Sequence, residues 1–119
     1  MPVSKIKIPG RVKKFKAVII GAGRIGSSFD TPAMPAVMTH AHAFHIHPQT
    51  ELVGFFDVDK TKAQAAARKW SAAAFTSLVD MLKTVDPDIV SVCTPAVDHY
   101  STLLKLLQFQ PRLVLCEKP

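Results

Sequence analysis

Short apolar runs alternate along this chain with stretches of helical period. Ala17-Val18-Ile19-Ile20 is continuous and ends at glycine, the pattern of a strand buried on both faces of a parallel sheet. Runs of the same kind recur at Leu52–Phe56, Ile89–Cys93 and Leu113–Cys116, and Ala73–Phe75 predicts a short edge strand. Between them the period changes to that of a helix. Ala63, Ala66, Ala67 and Trp70 share one face, with Asp59 placed to cap it. Leu78, Met81, Leu82 and Val85 share a second, with Ser77 as cap and Asp80 three residues on, a variant of the capping box. Val97, Tyr100, Leu104 and Leu107 predict a third face, and Pro95 suits its start.

Strands alternating with amphipathic helices predict βαβ units and a doubly wound parallel α/β sheet, Rossmann-like, in the order 3-2-1-4-5. Ligands of such sheets bind beyond the C-terminal strand ends, at the point where the strand order reverses. Gly21–Gly26, Asp57, Thr94–Pro95 and Glu117–Lys118 all fall on that edge.

Composition narrows the class without changing the fold. At 119 residues, 48% hydrophobic and 20% charged, the chain matches one globular domain. Its apolar runs are too short to span a membrane, and no secretory signal is visible. Cys93 and Cys116 lie in separate runs and predict buried thiols of a cytoplasmic protein. The net charge of +6 is concentrated: Lys5, Lys7, Arg11, Lys13, Lys14 and Lys16 precede every acid, and the rest of the chain is balanced. Residues 1–14 therefore predict a solvated basic leader before a domain over 15–119. Without interleaved aromatics, a nucleic-acid platform is the less favoured reading of that leader.

Gly21-Ala22-Gly23-Arg24-Ile25-Gly26 matches G-x-G-x-x-G directly after a strand. Gly21 permits a tight turn, Gly23 lets backbone approach a pyrophosphate, and Gly26 allows close packing of helix on strand. The helix expected next would aim its free N–H groups at phosphate, and Arg24 would add a charged contact. Asp57, at the end of the second strand, suits the adenosine ribose hydroxyls and favours NAD over NADP. It lies 31 residues beyond Gly26, against roughly 20 in the usual spacing. The excess, Asp30–Pro48, contains prolines and four histidines and predicts a loop insertion. A glycine-rich turn without a nucleotide, or a methyltransferase-type loop, fits the glycines taken alone.

Val18–Gly26, Glu51–Asp59, Val92–His99 and Leu115–Pro119 together resemble the N-terminal domain of the Gfo/Idh/MocA oxidoreductases, with Glu117-Lys118-Pro119 the most specific piece. The resemblance implies a nicotinamide dinucleotide held by Gly21, Gly23, Arg24, Ile25, Gly26 and Asp57. Thr94, Pro95 and His99 would line its path, and Glu117 would approach the nicotinamide ribose. Lys118 is implied as the residue assisting proton transfer at the hydroxyl carbon of a sugar or polyol substrate. Members of that family continue past this triplet and carry a C-terminal α/β domain with most substrate contacts. The resemblance thus implies a cofactor domain, truncated and inactive alone, with its last strand an open edge inviting self-association. A stand-alone, non-catalytic dinucleotide-binding module is the alternative. His40, His42, His45 and His47 fall within eight residues. That density would suit a metal if the rings converged, but simple surface or packed side chains are preferred and no metal is expected.

Overall fold

The computed structural model describes residues 14–118. Lys14 apart, the basic leader lies outside the described residues, as does Pro119 of the closing triplet. Five parallel strands form one sheet in the order β3-β2-β1-β4-β5: β1 Phe15–Ile20, β2 Thr50–Phe56, β3 Ala73–Phe75, β4 Ile89–Val92 and β5 Leu113–Cys116. The helices are α1 His40–Ile46, α2 Lys60–Trp70, α3 Leu78–Val85 and α4 His99–Leu107. This is the predicted order and the predicted class.

The alternation of side chains along β1 divides the core. Ala17 and Ile19 pack with Phe44 of α1, Phe55 of β2 and Ala66, Ala67 and Trp70 of α2. Val18 and Ile20 face the other way, onto Met81, Leu82 and Val85 of α3 and Leu106 of α4. Burying both faces of β1 is what makes its sequence continuously apolar rather than alternating. Asp59 caps α2 by accepting from the Thr61 and Lys62 N–H groups, and Ser77 caps α3 through the Asp80 N–H. Among the described residues no helix is long and apolar enough to cross a membrane.

Four expectations need correction. The stretch Asp30–Pro48 is not all loop, because His40–Ile46 is helical, with Thr39 Oγ1 accepting the His42 N–H as its cap. The helix expected directly after the glycine loop is only one wide turn, Arg24–Ser28. Its Ser28 and Phe29 N–H groups reach five residues back, and Pro32 and Pro35 follow too closely for it to extend. The face expected on the last helix points outward: Val97, Tyr100 and Leu107 are 85%, 75% and 70% exposed, whereas Thr102 and Leu106 are buried. Both faces of that helix carry leucines, so periodicity alone selected the wrong one. Finally, Cys116 is exposed, because β5 has no outer neighbour among the described residues, and Cys93 is only partly buried, because it lines the cleft past the end of β4.

Candidate functional site

Each element of the site lies one step past a strand end, held there by a continuation of the backbone ladder. The Gly21 N–H donates to the Phe56 carbonyl, the Cys93 N–H to the Ile20 carbonyl and the Glu117 N–H to the Val92 carbonyl. The glycine loop, the segment after β4 and the segment after β5 are thereby drawn to one edge. Between them lies a cleft of about 940 Å³, whose lining includes Gly21, Gly23, Arg24, Ile25, Asp57, Thr94, Pro95, Glu117 and Lys118. That is the size of a small-molecule site.

The three glycines do different work. Gly21 has φ +99°, and a β-carbon there would lie 2.8 Å from the Cys93 carbonyl carbon and the Thr94 nitrogen. A β-carbon on Gly26 would collide with the Gly21 carbonyl oxygen. On Gly23 it would meet nothing within 4 Å, because that position opens onto the cleft. The first and third glycines are demanded by packing of the loop itself, whereas the second leaves space. Ser27 Oγ donates to the Ala22 carbonyl and the Trp70 indole N–H to the Ser27 carbonyl, tying the loop's far end to α2.

Asp57 is a structural part of this loop as well as a lining residue. One carboxylate oxygen accepts the Ala22 N–H at 2.8 Å, and the other accepts the Asp59 N–H at 2.8 Å. A carboxylate offers about four lone-pair positions, so capacity for ligand hydroxyls remains. Across the cleft, Thr94 Oγ1 is buried and has no hydrogen-bond partner among the described residues. Such an atom is costly to bury unpaired and points to a partner supplied by a ligand. His99 behaves otherwise: its Nε2 lies 2.7 Å from the Thr94 carbonyl, so the ring braces this segment, and it is not among the cleft-lining residues. Arg24 and Lys118 are exposed, and with Lys62 and Lys69 they give the cleft four cations against the carboxylates of Asp57, Asp98 and Glu117. A pyrophosphate with flanking hydroxyls fits this donor set.

The histidines go to separate places. His42, buried, bonds Asp30 through Nδ1 at 2.8 Å, and His42 and His45 both flank the Trp70 ring. Asp30 also accepts from the Met38 N–H and Thr39 Oγ1, each at 2.6 Å. Burial pushes its carboxyl up, but the bonds from Thr39, Met38 and His42, with the His42 charge, more than offset this and hold it below the usual range. His40 instead reaches the site. Its Nε2 lies 3.0 Å from Glu117 Oε2 and its Nδ1 3.0 Å from Ser91 Oγ. The His40 bond holds the Glu117 carboxyl below its ordinary value, against a smaller opposing effect of burial. Burial, reinforced by the negative charge of Glu117 and by Cys116, pushes the Cys93 thiol up to about 12, so it is no nucleophile at neutral pH. Among the described residues no three His, Cys, Asp or Glu side chains converge as a metal site.

His40 and Ser91 were not among the residues expected here. The usable signal for α1 was Thr39 followed by Ala41, His42 and Phe44 at helical spacing, which would have placed His40 in the first turn of a helix.

Comparison with known proteins agrees with this geometry. Residues 15–119 match the Gfo/Idh/MocA family model, described as an oxidoreductase family with an NAD-binding Rossmann fold. The chain is 34% identical over 105 residues to a D-glucoside 3-dehydrogenase of Escherichia coli K12, covering 87% of this chain and 27% of that protein. It is 32% identical over 91 residues to a redox-sensing transcriptional repressor Rex of Caldicellulosiruptor saccharolyticus, covering 76% of this chain and 37% of the repressor. Among solved structures it is similar to the WlbA dehydrogenase of Chromobacterium violaceum in complex with NADH and UDP-GlcNAcA. The TM-score is 0.74 at 28% identity, covering 97% of this chain and 30% of that one. The chain thus spans 27–37% of the length of these relatives. With the strand order, the glycine loop and the family match in agreement, the chain belongs to the Gfo/Idh/MocA oxidoreductases and carries their NAD-binding Rossmann fold.

Proposed function

We propose that this chain is the cofactor domain of an NAD-dependent dehydrogenase acting on a secondary alcohol carbon of a sugar, polyol or sugar nucleotide. The observation that carries the reading is the open space at Gly23, set between the Asp57 carboxylate and the unpartnered Thr94 hydroxyl. Gly21 to Gly26 would hold the pyrophosphate by backbone N–H groups, with Arg24 beside them. Asp57 would accept the adenosine ribose hydroxyls, and Thr94 with Pro95 would line the path towards Glu117. A smaller cavity of about 300 Å³, lined by Ile20, Phe56, Val58, Leu78 and Thr94 together with the polar Ser77, Asp98 and Lys105, adjoins the cleft on the Asp57 side and suits the flat, polar-edged base of the adenosine.

A nicotinamide bound here would supply the hydride acceptor. The chain's own part is to orient that ring and to manage the proton of the substrate hydroxyl. Lys118 Nζ, on the segment after β5, is the group assigned to exchange that proton and to stabilise the developing alkoxide by its charge. The family resemblance assigns most substrate contacts to a further domain; this chain covers 27% of the D-glucoside 3-dehydrogenase and 30% of the WlbA dehydrogenase. A reducing, cytoplasmic setting suits the two free thiols. The similarity to Rex repressors supports the cofactor site equally well without turnover, and leaves a non-catalytic dinucleotide module as the second reading.

The test is calorimetric titration with NADH and NADPH. The unsubstituted chain is expected to prefer NADH, because Asp57 repels a 2′-phosphate. Asp57→Ala loosens the Ala22 contact for both cofactors alike, so the ratio of the two affinities is the readout. The preference should shrink; an equal loss for both would remove Asp57 from ribose recognition.

A further inference from the structure

His40 stands in the first turn of α1, yet its two ring nitrogens join residues of two different strands or strand ends. Nδ1 meets Ser91 Oγ in the middle of β4, and Nε2 meets Glu117 Oε2 just after β5, both at 3.0 Å. Ser91 is fully buried, and His40 is the one partner of its hydroxyl among the described residues. A buried hydroxyl proton must be donated somewhere. The carboxylate of Glu117 can only accept. Together these requirements set one arrangement: Ser91 O–H donates to Nδ1, and Nε2–H donates to Glu117 Oε2. These bonds assign the donor role to Nε2 and the acceptor role to Nδ1, the Nε2–H tautomer.

This chain of bonds also divides the two oxygens of Glu117. Oε2 is occupied by His40, while among the described residues Oε1 has only a long contact, 3.4 Å, from the Lys118 N–H. Glu117 lines the cleft, half-buried, beside Lys118. We propose that Ser91 and His40 are positioning residues that hold Glu117 with Oε1 presented to a hydroxyl of the nicotinamide-side ribose. This inference rests on the cofactor reading above and adds to it the residues that aim the acceptor. The serine cannot act as a nucleophile, since it is sealed beneath the histidine in the sheet.

Two measurements on the full chain separate this inference from the reading it rests on. Long-range nitrogen–proton NMR of the unsubstituted protein reports the tautomer of His40 without any ligand. The Nε2–H form is expected, with Ser91→Ala moving it to a mixture; an Nδ1–H form in the unsubstituted chain would overturn the assignment. Titrations with NADH and with ADP then locate the effect, because ADP lacks the second ribose. His40→Leu should weaken NADH about ten-fold, the scale of one hydrogen bond to a charged group, and leave ADP within about two-fold. His40→Gln, whose amide can donate where Nε2 does, should restore most of the NADH affinity. Equal losses for NADH and ADP, or no loss for either, would overturn the positioning role. Failure of the unsubstituted chain to bind either nucleotide would instead overturn the cofactor reading, and the tautomer spectrum would still judge the bonds.

Discussion

Replacing each loop glycine by alanine separates what the loop needs for folding from what it leaves for a ligand. At Gly21 the new side chain inherits φ +99° and a β-carbon 2.8 Å from backbone atoms of Cys93 and Thr94. Left-handed strain of about 1–2 kcal/mol and overpacking of about 1–3 kcal/mol together predict a loss of roughly 2–5 kcal/mol. At Gly26 the clash is with the Gly21 carbonyl, a backbone atom fixed by the ladder. Only loop displacement relieves it, and the loss is at least about 1–3 kcal/mol. Gly23→Ala differs in kind. Its φ of −85° is open to any residue, and its β-carbon touches nothing. Stability should change by no more than about 0.5 kcal/mol, with a slight gain allowed by the stiffer unfolded chain. The methyl group nevertheless occupies the space assigned to pyrophosphate, where a misfit of about 1.4–3 kcal/mol weakens binding by roughly 10- to 100-fold. Denaturant melts and NADH titration on the same three variants test this. A Gly23→Ala protein that binds NADH normally would refute the phosphate assignment, and one that unfolds like Gly26→Ala would refute the packing argument.

Three further outcomes follow from two other parts of the molecule. Asp30→Asn leaves three converging donors facing a group with one acceptor oxygen, and breaking such a buried pair costs about 3–5 kcal/mol. Thermal melting should fall by about 12–20 °C; a loss under about 1 kcal/mol would show that the network contributes little. Because the folded carboxyl is held below its ordinary 3.8, its contribution is complete above that pH and fades as pH falls through the folded value. Asp30→Asn should accordingly flatten the acid limb of the stability profile, and an unchanged limb would refute the assignment. The outer edge of β5 has no strand paired to it among the described residues, and Leu113 and Leu115 are exposed there. Sedimentation should show concentration-dependent association that Leu115→Lys suppresses; a monomer at every concentration would exclude pairing there.

Legibility in the sequence followed burial and locality. β1, β2 and β4 were legible because strands covered on both faces, or nearly so, become unbroken apolar runs; β5 carries such a run too, although Leu113, Leu115 and Cys116 are exposed. α2 and α3 were legible because Asp59 and Ser77 mark their starts by local bonds. α1 was not, since its buried face includes His42, a polar residue made buriable by Asp30 twelve positions earlier. The orientation of α4 was ambiguous for the opposite reason, too many apolar positions rather than too few. Within the site, the glycines, Asp57 and Thr94 announced themselves by spacing after strands. The link from His40 to Glu117 spans 77 positions and arises only when β4 and β5 pair side by side within reach of the first turn of α1. No local pattern carries it. Asp57 shows a subtler gap: its place was legible, but its grip on Ala22 was not.

Trp70 is the chain's single tryptophan, and its indole N–H holds the Ser27 carbonyl where the glycine loop's turn ends. The molecule therefore contains one built-in fluorophore, attached to the segment that a dinucleotide would press upon. Reduced nicotinamide absorbs where indole emits, so energy transfer from Trp70 would register the cofactor's arrival without any label. The ring is also flanked by His42 and His45, and protonated imidazoles quench indole emission. A single emission signal would then report both occupancy of the cleft and the charge on the helix behind it.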